Sequence, residues 1–361
     1  MDMRFSCLVF ILLLIGCSSV IEDPVEAYFE GTKVELLVAR DSIPLERFGI
    51  LRPQAITLHK DYLLIQKSCG SDFVSIIQPG RGVVINCIHK GRGPEETWLS
   101  PSGFSMHGDS LHLYDIARQR LLILPVEEIV ASGKQALSMV SFPKDQDGYQ
   151  VDMSKRLFVV ASNNNRYYAS GFLSGLWYAA LDQDGNILGG LDYPDFEVLS
   201  GLSDAEKAAF CISTLFAVHP DGSRVAASLV SGAALSFACF QNNQLIEVKR
   251  LLFYPPEVAS TGMEKGPALV YRSGNRRSCC HLRCDDNFVY YLYSGKPSDA
   301  DSPSYEGARL YVFDWEGNPV KRYELSHTAC DFVIDKGQLI GLSSYPSSTV
   351  YVYPFPADLS N

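Results

Sequence analysis

Four short runs rich in Val, Ile, Leu, Tyr and Phe follow one another at 54–58, 62–67, 72–77 and 82–89. Tight turns at Lys60-Asp61 and Gln78-Pro79-Gly80-Arg81 separate them, which is the signature of an antiparallel meander. The same order of runs and turns returns at 103–142, 157–191, 212–252, 279–325 and 329–353, while helical periodicity is almost absent. Turn chemistry supports the alignment. Asp182-Gln183-Asp184-Gly185-Asn186 is echoed by Asp314-Trp315-Glu316-Gly317-Asn318, and Asn242-Asn243 fills the same slot in the fourth group. Gly and Asn at a tip permit the positive φ that a short hairpin needs. The spacing of roughly fifty to seventy residues approaches the ~40–50 of propeller blades once longer loops are allowed for. Meanders repeated without intervening helices therefore predict an all-β, six-bladed β-propeller of four-stranded antiparallel blades, which leaves no long open sheet edge. A pair of β-sandwiches would not explain the recurring order.

The last group offers only three strands, at 329–334, 338–343 and 349–353, and one N-terminal run at 32–38 is left over. That run is expected to complete the sixth blade and close the ring, so that 32–361 form one domain.

Ahead of it, Arg4 precedes an apolar run from Phe5 to Ile15 that is too short to span a bilayer as a helix. The run ends in Leu14-Ile15-Gly16-Cys17, which resembles the lipobox of bacterial lipoproteins. By that resemblance residues 1–16 are a signal peptide, Cys17 carries the lipid, and 17–31 form a tether of at most ~50 Å at ~3.3 Å per residue. More than one acyl chain together holds a protein stably in a bilayer. Ser18 stands where many lipoproteins retained at the inner membrane have aspartate, so the outer membrane is expected. Glu22 and Asp23 only weakly match an acidic surface-export run, leaving the periplasmic or surface-facing leaflet open.

Lys+Arg 31 against Asp+Glu 41 gives a net charge of −10 with no basic tract, which disfavours nucleic acid as a partner. Of ten cysteines, Cys7 leaves with the signal and Cys17 takes lipid, so eight remain. Their spacing is irregular, and buried thiols are at least as well supported as disulfides.

Three segments carry a wider likeness: His89-Lys90-Gly91-Arg92-Gly93-Pro94-Glu95-Glu96, Tyr290-Tyr291-Leu292-Tyr293-Ser294-Gly295-Lys296, and Val312-Phe313-Asp314-Trp315-Glu316-Gly317-Asn318-Pro319. With the lipobox, they make the chain resemble the TolB-like six-bladed β-propeller lipoproteins of Bacteroidota. It departs in having Gly93-Pro94-Glu95-Glu96 where Gly-Pro-Gly-Glu is common. The resemblance implies a fold and an envelope location and supplies no activity.

The longest loops, 192–210, 254–278 and 295–307 with 91–100 as a shorter fourth, are expected on one face of the ring. Ser203 with Glu206 has capping-box spacing, so the first of these should hold a helical turn. Opposite loops are mostly tight turns, except at 125–133. Rigidly held loops gather binding residues. The candidates are Arg272, Arg276 and Arg277, with Arg92, Glu95 and Lys296, and Tyr271 and Tyr305 as rings for stacking. Such arginines on an acidic protein could grip a carboxylate or a sugar acid.

No catalytic residue, metal site or cofactor is read from the chain. Cys279-Cys280-His281 and Cys284 fail as zinc ligands, because Cys280 and Cys284 share a strand face some 13 Å apart at ~3.3 Å per residue. Gly-x-Ser-x-Gly, His-Glu-x-x-His and calcium-loop patterns are absent. His219-Pro220-Asp221-Gly222 fits a hairpin turn. The leading expectation is an outer-membrane-anchored binding module for a peptide, glycan or envelope-protein partner. The alternative is a metal-dependent hydrolase or lyase, lactonase-like, in the central channel. The expected first strands offer it mainly apolar residues such as Ile56, Phe104 and Phe332.

Overall fold

The structure, a computed structural model, describes residues 23–142, 156–163, 166–260, 269–272, 274–301 and 303–356. Cys17 and the expected signal peptide, 1–16, lie outside the described residues. Six antiparallel sheets follow in chain order. The first blade is Pro53–His59, Tyr62–Lys67, Asp72–Gln78 and Gly82–His89, and the second runs from Ser102–His107 to Ser138–Ser141. The third runs from Leu157–Asn163 to Ile187–Asp192, and the fourth from Thr214–Val218 to Gln244–Tyr254. The fifth runs from Cys279–Cys284 to Pro319–Ala329, and the sixth holds Asp331–Asp335, Gln338–Ser343 and Thr349–Pro354. The first strand of each blade touches the first strand of the next, and the sixth touches the first, so the ring is closed.

Burial follows from that arrangement. Middle strands such as Asp72–Gln78 and Phe288–Tyr293 are buried along nearly their whole length, because a neighbouring blade covers each face. Outer strands such as Gln244–Tyr254 are far less covered, exposing Gln244, Ile246, Val248 and Leu252. Aliphatic residues fill the contact between the first two blades, whereas Tyr291, Tyr293, Tyr311, Phe313 and Phe237 fill that between the fourth and fifth. The hairpin echo has a shared mechanism: Asp182 Oδ1 accepts from the amides of Asp184 and Asn186, and Asp314 Oδ1 accepts from that of Asn318. Gly185 and Gly317 then take φ +84 and +76, which disfavours any side chain there. His219 to Gly222 is a turn of the same kind, with the Gly222 amide donating to His219 O at 2.7 Å.

An N-terminal strand does close the ring, but it is not the expected one. Here β1 (Val34–Leu37) pairs in parallel with Pro319–Ala329 as a fifth strand on the fifth blade. It is β2 (Asp41–Pro44) that pairs antiparallel with Thr349–Pro354 and completes the sixth. The apolar Val34-Glu35-Leu36-Leu37 pattern drew the strand reading, yet Leu36 is 63% exposed. Segment β2 has one apolar residue, Ile43, and ends in proline; an edge strand needs one partner only and tolerates both.

Part of the segment expected as a tether, 17–31, is ordered against the ring. Helix α1 (Pro24–Tyr28) is already docked between the fourth and fifth blades, with Val25 and Phe29 fully buried. Two further short helices punctuate the loops. Helix α2 (Val126–Ser132) occupies the exceptional loop of the tight-turn face. Helix α3 (Asp204–Phe210) begins in the expected capping box, the Ser203 amide donating to Glu206 Oε2 at 2.9 Å. All eight cysteines from Cys69 to Cys330 are free thiols. Cys279 and Cys280 point to opposite sides of their strand, into different hydrophobic clusters.

Candidate functional site

Antiparallel order puts the loops between second and third strands, and those leading to the next blade, on one face of the ring. On this loop face, where the fifth, sixth and first blades meet, lies a pocket of about 650 Å³ lined by Arg52, Gln54, Arg277, Tyr305, Ser344 and Tyr345, with Cys280 and Cys330. The volume suits a small-molecule site. Tyr305 is 42% and Tyr345 50% exposed, so both rings present open faces. Arg277 Nε is buried and, among the described residues, has no hydrogen-bond partner. Among the described residues no carboxylate belongs to the lining. Glu306, next to Tyr305, is spent elsewhere: Oε1 accepts from the amides of Ser344 and Tyr345, and Oε2 from the hydroxyls of Thr328 and Ser343. Glu306 thereby holds the loop that carries Tyr345, and the pocket is locally positive in an acidic protein.

Arg283, on the first strand of the fifth blade, donates from Nη2 to Asp331 Oδ2 at 2.7 Å and to Ile56 O at 2.8 Å. Its Nε donates to Phe332 O at 3.0 Å, and Nη1 to Phe104 O at 3.3 Å. Those acceptors belong to the sixth, first and second blades, and the second stands opposite the fifth. The side chain therefore crosses the axis. Asp331 is fully buried and also accepts from the amides of Ile56 and Phe332. Among the described residues, no group of three or more His, Cys, Asp or Glu side chains is placed to hold a metal ion.

The other expected site residues separate. Arg276 turns away from the axis and donates to Asp23 Oδ2 at 2.6 Å, where the Tyr293 hydroxyl also donates at 2.7 Å. Adjacent arginines diverge because successive residues of an extended segment point to opposite sides. Arg92 lies over the Trp98 ring, 4.3 Å from its centroid, beside a second cavity. Glu95 is exposed; its neighbour Glu96 is the residue that braces the loop, accepting from the Gly93 amide at 2.6 Å. Tyr271 donates to Phe210 O at 3.4 Å from a small hairpin above α3, and burial pushes its phenol up to about 12. Arg272 is exposed beside it, and Lys296 is half-buried near Cys280. Thus Arg277 and Tyr305 meet in one pocket, Arg92 borders another, and Arg276 is committed to the fold. Sequence reasoning missed Arg52, Tyr345, Trp98 and Arg283. A lone arginine inside the apolar strand Cys279–Cys284 was the signal available for the last of these.

Three histidines near the channel are held neutral. Burial pushes His281, His107 and His112 each down to about 4, the last further lowered by His107, whose ring is 4.6 Å away. Unfolded, each titrates near 6.5, so between the two values the unfolded chain binds more protons. Their contribution to stability is fully present above about pH 6.5 and is lost as pH falls toward 4, by up to about 1.4 kcal/mol per pH unit for each histidine. Urea midpoints at pH 7, 6 and 5 should decline in that order, and His107→Gln with His112→Gln should flatten the decline.

The chain matches the family model for TolB-like 6-blade propeller-like proteins over residues 39–337. No curated protein matches it. Among solved structures it is similar to a member of the DUF4221 family from Bacteroides vulgatus, at 11% identity and TM-score 0.49, over 89% of this chain and 97% of that one. It is also similar to hydrazine synthase from Kuenenia stuttgartiensis, at 10% identity and TM-score 0.43, over 90% and 97% of the two chains. With six blades closed by an N-terminal strand and a family match over most of its length, the chain belongs to the TolB-like six-bladed propeller family.

Proposed function

We propose that this protein is a lipid-anchored binding module of the outer membrane whose loop-face pocket around Arg277 takes a small carboxylate-bearing ligand, foremost a glycan fragment ending in a uronic acid. The observation that carries the reading is Arg277: a guanidinium with a buried, unpartnered Nε beside Arg52, in a pocket whose lining has no acid. Burying a donor without a partner is unfavourable, and an incoming carboxylate would relieve it. Tyr305 and Tyr345 supply flat faces for a sugar ring or a peptide side chain. The anchor rests on Leu14-Ile15-Gly16-Cys17, with Ser18 favouring the outer membrane. Asp23, six residues after Cys17, is pinned at the loop face, so the tether spans about 20 Å and keeps the pocket near the lipid surface. The lactonase-like alternative loses its support because Arg283 occupies the channel it would use.

The test is a thermal-shift and calorimetry panel of uronic-acid di- and trisaccharides, their neutral parent sugars, and acidic tripeptides. A uronic-acid saccharide should raise Tm where its neutral parent does not, and Arg277→Gln should weaken binding about 10- to 100-fold, as expected for loss of a charged hydrogen bond. Preference for the peptides would reassign the ligand. Equal response to charged and neutral sugars, or no effect of Arg277→Gln, would overturn the site.

A further inference from the structure

We propose that a second pocket on the loop face, built around Trp98, binds an organic acid with a flat apolar body, such as an aryl carboxylate. The cavity measures about 780 Å³ and is lined by Arg92, Trp98, Leu99, Ile116, Arg156 and Phe158, with Ala117 between. Its apolar wall is unusual for this chain. Trp177 and Trp315 are 0% and 3% exposed, whereas Trp98 is 48% exposed and Leu99 beside it equally so. Holding an indole and a leucine side by side in water is unfavourable unless something covers them, and exposed tryptophan is a frequent anchor of binding sites.

The loop that presents Trp98 is rigid before any ligand arrives. Arg118 donates to Arg92 O, Gly93 O and Pro94 O, and Arg120 donates to Pro94 O and Glu96 O. The Gly91 amide donates to Thr97 O and the Thr97 amide to His89 O, closing the base of the loop. Two arginines are thus consumed to fix a loop whose outward product is one exposed ring. Preorganisation of this kind lowers the ordering cost of binding.

Charge selects the ligand class. The Arg92 guanidinium covers the Trp98 ring at 4.3 Å, and among the described residues no carboxylate pairs with it. Arg156 stands in the lining as well, its Nη2 donating to Ala117 O at 3.4 Å. A flat apolar body fits against Trp98, Leu99 and Phe158 while its acid group meets Arg92, which keeps its cation–π contact. Neutral aromatics would gain the apolar contact without the ion pair. The pocket differs from the one around Arg277 in lining residues and in character, since apolar side chains dominate here.

The probe is 2-naphthoate, with 2-naphthamide as its neutral isostere, measured by calorimetry and ligand-observed NMR. Saturable naphthoate binding is expected, at least fivefold tighter than naphthamide. Arg92→Gln should weaken naphthoate about tenfold and leave naphthamide within twofold. Trp98→Ala should abolish binding of both, and Trp98→Phe, which preserves a ring if the alanine variant melts early, should retain most of it. Absence of binding up to millimolar naphthoate, equal affinity for the two probes, or undiminished binding in a folded Trp98→Ala variant would each overturn the proposal.

Discussion

Replacing Asp331 with alanine is expected to destabilise the ring by about 3–5 kcal/mol, the range for removing one partner of a buried ion pair. The carboxylate is fully buried and accepts three contacts: Arg283, the Ile56 amide and the Phe332 amide converge on its two oxygens. Without it the guanidinium keeps three carbonyl acceptors but no counter-charge at the axis, where water has little access. At about 2 °C per kcal/mol for a chain of this size, Tm should fall by roughly 6–10 °C. The reciprocal Arg283→Met should also be costly, because it strands the acid. The double variant Arg283→Met with Asp331→Ala should recover much of the loss, since a buried pair is often replaceable by apolar groups of similar volume. Urea unfolding of the four proteins closes the cycle. A loss below about 1 kcal/mol for Asp331→Ala would mean that blade packing alone holds the axis.

The second large effect concerns the segment ahead of the ring, which docks as helix α1. Phe29 is fully buried against Tyr311 and Phe313, at ring-centroid distances of 4.6 and 4.9 Å, in the groove between the fourth and fifth blades. Phe29→Ala should cost about 3 kcal/mol, the lower end for a buried phenylalanine, because a five-residue helix can leave its groove instead of tolerating a cavity. The loss is therefore bounded by the docking energy of the whole segment. Around it, Asp23 holds Arg276 and Tyr293, Glu26 pairs with Arg309, and the Tyr28 hydroxyl donates to Gly317 O. Hydrogen exchange is the discriminating measurement. Amides of Pro24–Tyr28 and of Val34–Leu37 should lose protection in Phe29→Ala while the first three blades keep theirs. Uniform loss across the ring would show that the segment is part of the global folding unit.

The strands and turns were legible in the amino-acid order because their causes are local. Tyr62–Lys67 and Gly82–His89 have the bounds that their apolar runs mark, and Asp182 and Asp314 build matching turns from residues within four positions. The failures lie where an edge or a long-range partner decides. An edge strand such as Asp41–Pro44 buries little and so carries little pattern, while Val34–Leu37 has pattern but ends at the rim. Of the arginine cluster, residue type indicated charge on the loop face and nothing more. Arg276 and Arg277 are neighbours in sequence, and only the tertiary structure reveals that one is already paired with Asp23 and the other lines the pocket beside Tyr305.

The order of apolar runs and turn residues by itself determined that this chain is an all-β ring of six repeated meanders with its longest loops on one face. Hydrogen bonding within a hairpin and alternation along a strand depend on residues a few positions apart, so the sequence states them directly. Only the tertiary structure decided what stands at the axis. Arg283 reaches acceptors 49, 179 and 227 positions away, a meeting produced by ring closure that no local pattern records. The same closure brings Arg52, Arg277, Tyr305 and Tyr345 from four separate loops around one pocket, because it sets the first blade beside the sixth although they stand at opposite ends of the chain.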